Sequence, residues 1–199
     1  MTDRRATRWT NLFDDLAAQL EHDLIADDVA LQSEEERLRL GRLSVRDRLA
    51  AVAASGAPVT IALIDSRSVA VRVATMGRDW FAGDLANGAS RRSQVVIPFS
   101  ALAAIELDAA AVDGSLDGRE ESAEQLTARL GLSFVLRDLC RRRVAVLVVL
   151  RGGDAHGTID RVGRDHFDLA MHDSDAPRRR DVVSGFRVVP FAELVMLRV

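Results

Sequence analysis

VAVLVVLRGGDAHGTIDRVGRDHFDLAMHD, residues 144–173, reads as three strands joined by two tight turns. Val144 to Leu150 is seven apolar residues in a row. That is too short for an ordinary helix and suits a strand buried on both faces. Arg151-Gly152-Gly153-Asp154 follows, and its adjacent glycines predict a hairpin with positive φ at both central positions. A second strand runs from His156 to Val162, where Gly157 predicts a bend or a close backbone approach. Gly163-Arg164-Asp165 turns the chain again. From His166 to His172 the residues alternate, with Phe167, Leu169 and Met171 on one face. After a polar, Arg-rich loop comes VSGFRVVPFAELVMLRV, residues 183–199. Phe186, Val188 and Pro190 begin the return there; Pro190 cannot donate a ladder hydrogen bond and predicts a corner. Leu194 to Val199 is the last strand. Five short strands with sharp corners predict a small barrel, whose closure removes the free edges of a sheet.

A weaker copy lies upstream. Ser44 reads as the cap of a short helix, Val45 to Ala54, that stops at Ser55-Gly56-Ala57-Pro58. Val59–Ile64, an alternating Val69-Val71-Val73 stretch, Trp80–Leu85, Val95–Phe99 and Ala101–Leu107 follow as strands. Asn87-Gly88 marks a hairpin. Three blocks match in order: LSVRDRL from Leu43 with LSFVLRDL from Leu132, MGRDWF from Met76 with VGRDHF from Val162, and VVIPFSALAAIEL from Val95 with RVVPFAELVMLRV from Arg187. Gly77 and Gly163 are 86 positions apart and Pro98 and Pro190 are 92, so the later copy has the longer loop after its third strand. Such a repeat predicts duplication. The expected organisation is an acidic amphipathic helix in 1–40, a first helix-plus-barrel repeat in 41–108, a flexible linker in 109–130, of which Glu120 to Leu130 could be helical, and a second repeat in 131–199. In the second repeat, Ser133 reads as the cap of a helix from Phe134 to about Arg142. The fold class is mainly β with helices, α+β.

The first forty residues carry ten acids against five arginines, a net −5, and the rest of the chain is +2. Neither value resembles the strongly basic face of a dedicated nucleic-acid binder. Trp9, Leu12, Phe13, Leu16, Leu20 and Leu24 recur at helical steps and form a candidate docking helix. Beyond them only Leu31 and Leu38 continue the stripe, seven apart, until Gly41 breaks it. Such a helix either lies on its own barrels, or dimerises or docks on a partner. No apolar run approaches a membrane span, and the N-terminus lacks a signal-peptide core, so the expected location is cytoplasmic. Cys140 is the single cysteine, which excludes an internal disulfide.

The helix followed by five bent strands resembles the Sm-like fold, the small barrel of the Sm protein family. GTIDRVGRDHFDLAMHD looks like that family's first motif, with Gly157 at its strand glycine and Phe167-Asp168 at its paired loop residues. One extra residue stands between Val162 and Phe167. Val189-Pro190-Phe191 and Ile97-Pro98-Phe99 replace the second motif, so the family's base-binding role does not carry over. A plain SH3-like barrel fits the same strands. The whole chain also resembles a group of uncharacterised actinobacterial proteins that share the VGRDHFDLA and VVPFAEL blocks.

Chemistry-bearing motifs are sparse. No GxGxxG, P-loop or GxSxG sequence occurs. His156, His166, His172 and Cys140 follow no standard zinc spacing. Asp165 and Asp168 stand beside no candidate nucleophile, and Asp165 reads as a turn residue. The expectation is a non-enzyme with no metal, no cofactor and no evident small-molecule substrate. Arg91-Arg92 and Arg178-Arg179-Arg180 occupy corresponding loops, and Arg141-Arg142-Arg143 forms a third cluster. The loop arginines could hold phosphates or acidic protein segments. Trp80 and His166 share one repeat position as candidate stacking residues. Two functions stay open: an interaction or scaffold module that binds a protein partner or itself, and an RNA- or DNA-binding protein of Sm-like type using its arginine loops.

Overall fold

The structure is a computed structural model and describes residue 19 and residues 28–86, 93–116, 126–173 and 183–199. The chain divides into two compact units, Met1–Ser44 and Val45–Val199. In the first, residues 28–42 form helix α1, which runs through Gly41 before it ends. Leu31 and Leu38 are both exposed on it. Arg39 holds Glu36 one turn back with two hydrogen bonds of 2.6 and 2.7 Å. The stripe from Trp9 to Leu24 lies outside the described residues.

The second unit is α+β, with ten antiparallel strands in one sheet among the described residues. Helix α2 (Val45–Ala53) precedes β1 (Val59–Leu63), β2 (Ser68–Met76), β3 (Trp80–Leu85), β4 (Gln94–Pro98) and β5 (Leu102–Glu106). Helices α3 (Ala109–Leu116), α4 (Leu126–Arg129) and α5 (Leu132–Arg142) lead to β6 (Ala145–Leu150), β7 (Gly153–Val162), β8 (His166–Met171), β9 (Gly185–Pro190) and β10 (Leu194–Arg198). The strand order is β5-β1-β2-β3-β4-β10-β6-β7-β8-β9. Each repeat therefore places its fifth strand beside its first, and β4 meets β10 at the joint.

The match between the repeats extends to backbone irregularities. Ala74 is the extra residue of a bulge between β2 and β3, and Asp160 is its counterpart between β7 and β8. Ala103 and Val195 are likewise matched bulge residues in β5 and β10. Gly77 N–H donates to Trp80 O at 2.8 Å, and Gly163 N–H to His166 O at 2.8 Å. Both prolines end their strands with φ near −65° and hand over to a short 3-10 turn. The aromatic pairs Phe81–Phe99 and Phe167–Phe191 repeat as well, at 5.3 and 6.4 Å.

Four expectations need correction. The sheet does not close into barrels: β4 gives its outer edge to β10 instead of curling back to β5, which leaves β5 and β9 as edge strands among the described residues. The stretch after Glu106 is not all linker. Asp108 accepts the Ala111 N–H at 2.8 Å and starts α3, and Arg48 of α2 ties α3 down through two bonds to the buried Ser115 hydroxyl. Helix α5 starts at Leu132 rather than Phe134, with Gly131 and not Ser133 at its cap position. In the β6–β7 hairpin only Gly153 has positive φ, +128°. Gly157 behaves as expected, since a Cβ there would overlap the Ala170 carbonyl oxygen on β8.

Two apolar clusters fill the unit, and each borrows from the other repeat. One gathers Leu49, Ile61, Val71, Phe81 and Ile97 with Val149, Val195 and Met196. The other gathers Leu136, Ile159, Phe167 and Leu169 with Trp80 and Val96. Val148 and Val149 of β6 go to different clusters, which is why that strand is apolar on both faces. Among the described residues no helix is long and apolar enough to cross a membrane.

Candidate functional site

The duplicated turn after the second strand is the most built-up feature at the joint. In the first repeat it grips the start of α5. Arg78 N–H and the Trp80 indole N–H both donate to Leu130 O, at 2.9 and 3.0 Å. Asp79 accepts the Leu132 N–H at 2.7 Å and so caps a helix that has no side-chain cap of its own. Gly77 is required there, because a Cβ would overlap the indole. Arg46 of α2 donates to Gly77 O from the other side.

In the second repeat the same turn is differently engaged. Asp165 lies 2.8 Å from His166 Nδ1, and that hydrogen bond holds its carboxyl below the usual value. Phe191 N–H donates to Asp165 O at 2.8 Å, matching Phe99 N–H to Asp79 O at 3.0 Å. The two turns come together: Arg78 and Arg164 line one open cleft of about 310 Å3, with Asp79, Ser100, Ser133 and Phe191 on its walls. Arg78 is exposed and 3.6 Å from Asp79. This convergence of matched arginines was not foreseen. Their repeat positions could have suggested it, but only the β4–β10 joint brings them together.

Other candidate residues are scattered. Trp80 is buried, 6% exposed, and its N–H is spent on Leu130, which takes the ring out of reach of a stacked base. His166 keeps its side chain 46% exposed. Arg91, Arg92, Arg178, Arg179 and Arg180 lie outside the described residues. Of the third cluster, Arg141 and Arg142 both pair with Asp138, and Arg143 pairs with Asp160. His172 is buried between Thr158 Oγ1 and Asp173 O, both 2.9 Å away, and the Cys140 thiol donates to Asp160 O. Among the described residues no three His, Cys, Asp or Glu side chains are placed to hold a metal ion.

The sheet's two outer strands form the second candidate surface. On β9, Phe186 and Val188 share one face and are 64% and 65% exposed. On β5, the edge borders a groove of about 400 Å3 walled by Val45, Arg48, Leu102, Ile105, Leu107 and Val112. Exposed apolar edges of this kind are uncommon on solitary sheets, which usually blunt them with charge, proline or a cover. No family model, curated protein or solved structure matches the chain.

Proposed function

We propose that this chain is a non-catalytic interaction module, in which two bent repeats of Sm-like or SH3-like kind present sheet edges to a protein partner. The observation that carries the reading is the exposed apolar face of β9. Val188 stands at the repeat position of Val96, which the joint covers to 7% exposure, yet Val188 is 65% exposed. Strand addition to such an edge uses backbone hydrogen bonds for affinity and alternate side chains for selection. The test is capture of partners by the full chain and by Val188→Asp, in quantitative pull-downs with purified bait. Loss of the captured protein with an unchanged thermal midpoint supports the reading; equal capture by both sinks it.

The cleft favours a second reading, binding of RNA or DNA. Arg78 and Arg164 face one opening, and paired guanidinium groups suit phosphate oxygens. Asp79 on the same wall weighs against it. Gel shifts with single-stranded RNA and duplex DNA across salt concentrations decide: a salt-weakened shift that Arg78→Ala plus Arg164→Ala abolishes supports this reading. No shift at low salt removes it.

A further inference from the structure

The joint between the repeats is a template for a joint between chains. In it, β4 lies antiparallel to β10, with Val96 opposite Leu197 and Val95 opposite Arg198. Val199 N–H extends the ladder to Gln94 O at 2.9 Å. The aligned repeats make β9 the counterpart of β4, since Pro190 sits opposite His166 as Pro98 sits opposite Trp80. They make β5 the counterpart of β10, since Ala103 and Val195 bulge at the same place. These two counterparts, β9 and β5, are the outer strands of the sheet.

We propose that β9 of one chain pairs with β5 of a second copy, antiparallel and head to tail, in the register of the internal joint. This deepens the interaction reading above and rests on it. Transferring the register sets Val188 opposite Ile105 and Arg187 opposite Glu106. The first pair is apolar, with Val188 exposed and Ile105 half-buried beside the groove. The second is oppositely charged, and both of its residues are exposed. Opposite charges across a ladder favour pairing and like charges oppose it. Within the joint, Trp80 and Val96 of β3 and β4 reach into the cluster beneath α5. At the free edge, α2, β5 and Val112 of α3 wall the groove beside Ile105, the residue that the transferred register sets opposite Val188. The contact is heterologous, so repetition gives a ring if the rotation closes and a filament if it does not.

Sedimentation velocity of the full chain over a wide concentration range tests this. Wild type is expected to reach multiples of the 21.7 kDa chain. Glu106→Arg and Arg187→Glu are each expected to reduce it to the single chain, and the double exchange E106R/R187E to restore the assembly. Restoration cannot come from a misfolded variant, and thermal unfolding of each single variant checks the fold directly. A wild type that stays a single chain at all concentrations overturns the proposal, as do single reversals that leave the mass unchanged. If wild type is a single chain but Val188→Asp still abolishes capture of another protein, self-pairing fails and the interaction reading stands.

Discussion

Gly77 and Gly163 open the same turn in different surroundings. A methyl group on Gly77 would overlap the buried Trp80 indole and come within 2.7 Å of the Leu130 carbonyl oxygen. On Gly163 its three nearest neighbours are all atoms of the half-exposed His166 ring, which can shift toward water at the cost of its bond to Asp165. Gly77→Ala is therefore expected to cost about 1–3 kcal/mol, the usual range for overpacking, and Gly163→Ala clearly less. Urea denaturation of both variants checks this, and equal losses would contradict it. Asp79→Ala removes a helix cap and is expected to cost about 0.5–2 kcal/mol, whereas Asp165→Ala, with no helix to cap, should leave the midpoint close to wild type. A third expectation concerns pH. Asp154 receives two hydrogen bonds from Arg67, which link the first hairpins of the two repeats and hold the Asp154 carboxyl below its usual value. A carboxylate depressed by folding stabilises above its unfolded pKa, about 3.9, and loses that contribution as pH falls through the lower folded value. Both side chains are more than a third exposed, so screening limits the pair to about 1 kcal/mol or less. Thermal scans should show wild type ahead of Asp154→Asn by that margin at neutral pH, with the gap closing below the normal carboxylate range.

At the scale of elements, local pattern carried most of the information. The seven-residue apolar run became β6, Trp80–Leu85 became β3, and both prolines end strands as their chemistry requires. The first helix of the second unit, α2, was readable because Gly56 takes a left-handed φ of +69° just past its end. Helix α3 was hidden in a small, acidic stretch, although Asp108 before three alanines is itself a helix start. Barrel closure was beyond reach of any local pattern. Whether β4 turns back to β5 or meets β10 depends on a pairing about a hundred residues distant, and both outcomes require the same alternation. The cap from Asp79 to α5 was concealed for the same reason: its donor lies 53 positions away. That helix is where a side-chain deletion should be felt in both repeats. Leu136→Ala removes a fully buried residue from the cluster that also holds Trp80 and Val96. Its expected cost is about 2–5 kcal/mol, measured by chemical denaturation.

Over the whole second unit, the repeats are continuous in packing as well as in sheet. The first repeat's cluster needs Val149, Val195 and Met196, and the second's needs Trp80, Ala82 and Val96. Residues 131–199 expressed alone would uncover these surfaces and are expected to lose the cooperative thermal transition that calorimetry should find for the full chain. A sharp transition from the isolated repeat would show that the shared packing is dispensable.

The ladder between β4 and β10 pairs two residues on each strand, against five between β3 and β4. Being on one polypeptide, the two repeats meet without dilution: the covalent tether acts as a high local concentration, of order millimolar for short flexible links. A seam that short can hold because it never has to find its partner from solution. The tether thus relieves the seam of that search, while any contact between separate molecules has to succeed on its own side chains.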